Sequence, residues 1–299
     1  MTQILHHANA LSYFSRLARA ALVRLLSRRR RAMQAARIAC FPGDDIGDRI
    51  IANGWYEDVL LQALFERFLI EDAAAFRQGV ALDVGANIGN HSLWFARRFA
   101  QVLAFEPNPI CIHLFEANRL MNGVGNMRLF DIGLSDAAGE KLFHSNQTGN
   151  LGRSGVGEAL AATATRSFPV RLERGDDLLT DAVLAGLPVR LVKLDIEGHE
   201  LAALMGLQST LQRFEPLVLF ESHHAGGEAG SDAIVSQLQA WGYRHFYVLE
   251  ANASPYRGRL AKFVYRLVKG WNLTVRAVER PDDRSYSLVI AATRPRCES

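Results

Sequence analysis

Cysteine is scarce in this chain, with Cys40, Cys111 and Cys297 the only three in 299 residues. Three such distant residues make neither a disulfide framework nor a zinc motif, and they fit a reducing, cytoplasmic setting. No apolar run approaches the roughly 18 residues that a membrane-spanning helix needs. Arg16, Arg19 and Arg24 interrupt the first apolar stretch, which rules against a secretory leader. Acidic residues are missing from positions 1–40, which hold eight arginines. The remainder carries 26 bases against 31 acids, so the body is not expected to bind nucleic acid. Internal repeats and low-complexity tracts are absent too. What is left is an ordinary globular composition, 49% hydrophobic and 22% charged.

The most informative stretch that is present runs from Val80 to Phe95. An apolar strand, Val80–Val84, breaks at Gly85 and Gly89 and gives way to helical spacing from Ser92. Strand, glycine turn and helix start together form a pocket of backbone N–H groups suited to the polar end of a nucleotide-like cofactor. The two glycines let the backbone turn sharply and a ligand approach. Around this core, βα units repeat. Strands are predicted at Val102–Phe105, Met127–Asp131, Val189–Leu194, Leu217–Phe220, Tyr243–Leu249 and Tyr286–Ala291. Helices are predicted at Pro109–Met121, at Glu200–Leu211 and at Asp232–Trp241. Such alternation implies an α/β fold with a mostly parallel sheet and helices on both faces, and the last two strands suit an antiparallel edge hairpin.

Residues 1–40 read as a basic arm and 41–299 as the folded domain, with a helix over 55–70 before the first core strand. Within the arm, residues 10–31 place Leu11, Phe14, Ala18, Ala21, Leu22 and Leu25 on one helical face. That pattern suits peripheral contact with the inner face of a membrane, docking on the chain's own domain, or a poorly ordered tail. Between the third strand and Arg174, two strand-like pieces (Lys141–His144 and Phe168–Leu172) flank a loop at 145–157. Asp176 or Asp177 is expected to cap a short helix ending at Leu184. The segment 251–299 reads as a variable lid with an edge strand, and the basic amphipathic run 260–269 within it suits a lid, an acceptor contact or an ordinary packed helix.

The first five of these main strands each end in polar residues: Asp83, Glu106, Asp131, Asp195 with Glu197, and Glu221 followed by His223 and His224. In open α/β sheets ligands bind at these strand ends. Glu106 is placed to accept hydrogen bonds from both hydroxyls of a ribose. The glycine pattern lacks the third glycine of a dinucleotide site, and no P-loop lysine follows. A carboxylate at Asp83 would repel a pyrophosphate and suit a cofactor carrying positive charge. S-adenosylmethionine has an ammonium, a sulfonium and a ribose that match Asp83, the backbone pocket and Glu106.

Three motifs in order, Leu82-Asp-Val-Gly-Ala-Asn-Ile-Gly89, Ala104-Phe-Glu-Pro-Asn-Pro109 and Val192-Lys-Leu-Asp-Ile-Glu-Gly-His-Glu200, resemble the FkbM family of S-adenosylmethionine-dependent methyltransferases. Asn118 with Asn122, Leu134-Ser-Asp136, Gly175-Asp-Asp-Leu178 and Pro216 to Glu221 agree with it. The resemblance spans about residues 55–250 and departs from the family at Gly175, where an apolar residue is usual. It implies a Rossmann-like class I methyltransferase fold with a seven-stranded sheet. It also implies O-methylation of a hydroxyl on a sugar, a glycan precursor or a secondary metabolite.

The candidate cofactor-binding residues are then Asp83, Gly85, Asn87, Gly89, Glu106, Asp131 and Ser135. Tyr56 and Glu57 either lean over the cofactor or serve as an ordinary packing residue and a helix-start acid. A hydroxyl acceptor needs its proton taken up, and the candidates are Asp195, Glu197, His199, Glu221, His223 and His224. A divalent metal at Asp195 with Glu221 or His223 is allowed but not demanded. Lys193, inside an apolar strand, needs a partner, with Asp195 or Glu221 in reach. Two other readings compete: a nicotinamide-dependent oxidoreductase, and a non-catalytic Rossmann-like module that recruits partners through the basic arm.

Overall fold

The computed structural model describes residues 10–32, 36–146, 154–157, 160–162, 164–222, 231–251, 273–281 and 286–296. The arm forms one long helix, α1 (Ala10–Ala32). Helix α2 (Asp45–Asn53) starts at Asp44, whose carboxylate accepts from the Gly47 N–H, and stops at Gly54 in the left-handed conformation. The helix expected over 55–70 is broken. It consists of α3 (Asp58–Ala63), a π turn at Leu64–Phe68, a 3₁₀ turn at Ile70–Asp72, and α4 (Ala73–Phe76). The Leu69 N–H reaches back five residues to the Leu64 carbonyl, and both of these leucines are fully buried.

The βα units then follow: β1 (Val80–Val84), α5 (Asn90–Ala96), β2 (Gln101–Phe105), α6 (Pro109–Met121) and β3 (Met127–Phe130). Next come β4 (Gly133–Ser135), β5 (Gly139–Ser145) and β6 (Arg166–Arg174), with α7 (Gly175–Leu178) and α8 (Asp181–Leu184). The alternation resumes with β7 (Val189–Leu194), α9 (Glu200–Met205), α10 (Gln208–Phe214), β8 (Leu217–Ser222) and α11 (Ser231–Ala240). It closes with β9 (His245–Ala251), β10 (Leu273–Val278) and β11 (Tyr286–Ala292).

The main sheet has the order β10-β9-β11-β8-β7-β1-β2-β3. Strands β3, β2, β1, β7 and β8 are parallel, and β11 runs antiparallel between β8 and β9. Seven of these strands are the expected sheet. The eighth, β10, adds antiparallel to β9 at the edge. Alternate residues of β1 serve the two faces: Ala81 joins one core, while Val80, Leu82 and Val84 join the other. A second sheet, β4-β6-β5, stands apart around Phe143, Val170 and Leu172.

Three local expectations are corrected. First, Asp176 does not cap the helix ending at Leu184. Its carboxylate accepts from the Ser209 and Thr210 N–H groups at 2.8 and 2.9 Å, at the start of α10, while Thr180 caps α8. Second, the helix expected over 200–211 breaks at Gly206, where a Cβ would lie 1.9 Å from the Ser135 carbonyl oxygen. Third, the folded body begins before residue 41. Ala36 and Ile38 are buried, and Asn118 on α6 clasps Ala39 by accepting its N–H at 2.7 Å and donating to its carbonyl at 3.2 Å. Asn122 holds Arg37 in the same way. This accounts for the Asn118/Asn122 pair.

Candidate active site

A cavity of about 250 Å³ opens at the carboxyl ends of β1, β2, β7 and β8. Its floor starts at the β1–α5 turn. Gly85 has φ +80°, and a Cβ there would sit 1.9 Å from the Asp195 carbonyl oxygen. Gly89, φ +86°, would strike the Phe115 ring at 2.7 Å. Both glycines are therefore demanded by protein packing as well as by the turn, and Gly89 does not line the cavity. Asn87 between them also has a positive φ, 50°. Glu57 and Glu197, at φ 58° and 50°, share this uncommon conformation, so three such non-glycine residues border one region.

Glu106 follows β2 directly and lies on the cavity wall. One carboxylate oxygen accepts from the Asn87 N–H and the other from the Asn108 N–H, both at 2.8 Å. Burial pushes its carboxyl up to about 7, against the opposing pull of those N–H groups. Each oxygen keeps acceptor capacity, so the group presents two neighbouring acceptor positions.

Asp83 was expected to meet the cofactor and does not line the cavity. It is fully buried, with one oxygen 3.2 Å from Lys193 Nζ and the other accepting from Ser92 Oγ at 2.6 Å. Lys193 is the shared cation, also 3.2 Å from Asp195 and 3.4 Å from the Gly85 carbonyl. Burial alone would lower the lysine pKa, but Asp195 and Asp83 outweigh it and raise it. The partners of Lys193 are thus Asp83 and Asp195.

Asp131 is likewise off the wall: β3 ends at Phe130, Asp131 turns outward and is exposed, and Gly133 and Leu134 face the cavity instead. Ser135 is buried behind it, with its Oγ 3.0 Å from His199 Nε2. The Ser135 hydroxyl donates to Asp136 at 3.0 Å, so His199, Ser135 and Asp136 form a connected polar chain beside the cavity. His199, Asp195, Glu197 and Glu221 all line the cavity, as does Tyr56. Burial first, then Glu57 and Glu221, raise the Tyr56 phenol pKa, so it stays protonated. Glu57 pairs with His91 at 3.3 Å and borders a smaller void that Lys193, Asp195 and Glu221 also touch. His223 and His224, and the segment 260–269, lie outside the described residues. Among the described residues no cluster of three His, Cys, Asp or Glu side chains is arranged to hold a metal.

Sequence reasoning missed several lining residues. Asp45 and Ile46 come from the first turn of α2, a helix that the sequence pattern did not predict. Phe143 and Leu172 come from the small sheet, and Ser154 to Val156 return to the site through a bridge between His144 and Gly155. Counted together, the lining holds five carboxyl side chains (Asp45, Glu106, Asp195, Glu197 and Glu221) and, among the described residues, no lysine or arginine. Such a cavity attracts cations and repels phosphates.

The family model described as the methyltransferase FkbM domain matches residues 83–245. Methyltransferase sdnD of Sordaria araneosa is 31% identical over 153 residues, covering 42% of this chain and 59% of that protein. Hexuronic acid methyltransferase AglP of Haloferax volcanii is 31% identical over 157 residues, covering 52% of this chain and 60% of its own length. The chain thus spans about three-fifths of these curated relatives. A crystal structure of methyltransferase FkbM from Methylobacillus flagellatus aligns with 72% of this chain and 44% of that one, at 14% identity and a TM-score of 0.43.

Proposed function

The chain belongs to the FkbM methyltransferase family, and on that premise we propose that it uses S-adenosylmethionine to methylate a hydroxyl on a sugar, glycan precursor or secondary metabolite. The observation that carries the cofactor reading is the cavity lined by five carboxyls and no lysine or arginine among the described residues. S-adenosylmethionine, when bound, supplies a methyl group on a sulfonium, and its two positive charges suit that lining. The pyrophosphate of a nicotinamide cofactor does not, which disfavours the oxidoreductase reading.

In this reading Glu106 accepts the two ribose hydroxyls with the acceptor positions its backbone partners leave open. Leu134, Phe143 and Leu172 provide an apolar wall for the adenine. Asp195, Glu197 and Glu221 supply the field that favours the cationic end, in place of Asp83, which is committed to Lys193 and Ser92. Lys193 acts as a positioning residue that fixes Asp195 at the mouth of the strands. His199 takes the acceptor's proton, with Ser135 and Asp136 anchoring its ring. Much of the acceleration then comes from holding the hydroxyl in line with the methyl, an effect worth about 7–11 kcal/mol in favourable systems.

The name of the Haloferax relative, a hexuronic acid methyltransferase, supports a sugar acceptor. The test is transfer of labelled methyl from S-adenosylmethionine into lysate fractions of a strain lacking the gene, followed by mass analysis. Label on a carbohydrate or metabolite oxygen supports the proposal. Label only on nitrogen, or none with cofactor bound, contradicts it; the latter is what a recruitment module would give.

A further inference from the structure

We propose that α1 is a peripheral membrane anchor that lays its apolar face into an anionic lipid surface. The helix is formed over 23 residues, and its apolar arc is turned to solvent. Phe14 is 69% exposed, Leu25 64%, Leu22 55% and Leu17 53%, and Ala18 and Ala21 on the same arc are exposed as well. An exposed run of large apolar side chains along one helical face marks an interaction surface.

Charge identifies what covers it. The helix carries seven arginines and no acidic residue. Arg19 lies outside the apolar arc, Arg24 borders it beside Leu17, and Arg28–Arg31 follow as a block at the C-terminal end of the helix. A second copy is a poor partner, because two such helices would bring fourteen arginines together with no acid between them. The chain's own body is net acidic, yet the apolar arc does not dock on it. No described helix is long and apolar enough to cross a membrane. A helix that is too polar to span, apolar along one arc, and charged elsewhere only by arginine matches the requirements of an interfacial helix, which needs hydrocarbon under one face and anionic headgroups beside it. The acidic body would be held off the same surface, leaving α1 as the point of contact.

The experiment is sedimentation of the full-length protein with vesicles made of equal parts phosphatidylglycerol and phosphatidylcholine, or of phosphatidylcholine alone. Binding to the anionic vesicles is expected to exceed binding to the neutral ones by about tenfold or more and to fall at high salt. Phe14→Glu with Leu25→Glu is expected to reduce it about tenfold, and so is Arg28–Arg31 replaced by glutamine. Thermal midpoint and S-adenosylhomocysteine affinity should stay unchanged in both variants. Equal binding to both vesicle types, or none, overturns the proposal. So does wild-type binding by the double Glu variant, or concentration-dependent self-association that the same variant abolishes without any vesicle binding.

Discussion

Glu106 joins the fold to the proposed chemistry, because its carboxylate is buried, held by two backbone N–H groups and turned to the cavity. Replacing it with alanine is expected to weaken S-adenosylhomocysteine binding at least tenfold, about 1.4 kcal/mol, measured by calorimetry. Its pH behaviour follows from a carboxyl pushed up to about 7 in the fold, against 4.5 as its ordinary value. The protonated form is the one the fold favours, so its stabilising contribution is complete below about 4.5 and is lost as pH rises through about 7. Ribose hydroxyls need the ionised form, so affinity should increase from pH 6 to pH 8 in the wild type and stay flat in Glu106→Gln. His199→Ala should lower kcat about a hundredfold with little change in cofactor affinity, measured by steady-state assay and calorimetry. Lys193→Met should cost about 3–5 kcal/mol in denaturant unfolding, because it leaves the Asp83 charge buried without its cation. Adding Asp83→Asn should recover part of that loss. At this scale Glu106 and the need of Lys193 for a partner were legible from position in a strand. The withdrawal of Asp83 from the site was not, because which oxygen a neighbouring serine or lysine takes depends on packing between β1, α5 and β7.

The elements show where pattern carries and where it fails. The main βα units were readable because both faces of β1, β2, β7 and β8 are covered, which makes them short continuous apolar runs. Helix α6 begins and ends where Pro109 and Gly123 place it. The small sheet was harder: β5 and β6 are half exposed and rich in polar residues, and their pairing joins positions 21 to 33 residues apart. Strand β10 was missed for a related reason, since Leu273, Val275 and Val278 pack on the two cores but are only partly buried. Gly206 matters at this scale because it lets the end of α9 close onto β4. Gly206→Ala drives a methyl group into the Ser135 carbonyl and is expected to cost about 1–3 kcal/mol in denaturant unfolding. It should also lower turnover by displacing the Ser135–His199 contact.

At the scale of the whole molecule the charges are sorted. Arginine collects in the arm, while carboxylates collect around the cavity at the strand ends. The family follows from three motifs in order, but the sign of the cavity emerges only when α2, the small sheet and the strand ends are brought together. The central claim is that this acidic cavity holds an adenosyl cofactor rather than a dinucleotide. Titration calorimetry of the full-length chain with S-adenosylhomocysteine and, separately, NAD tests it most directly. Saturable binding of S-adenosylhomocysteine with no heat from NAD is the predicted result; binding of NAD without S-adenosylhomocysteine would contradict it.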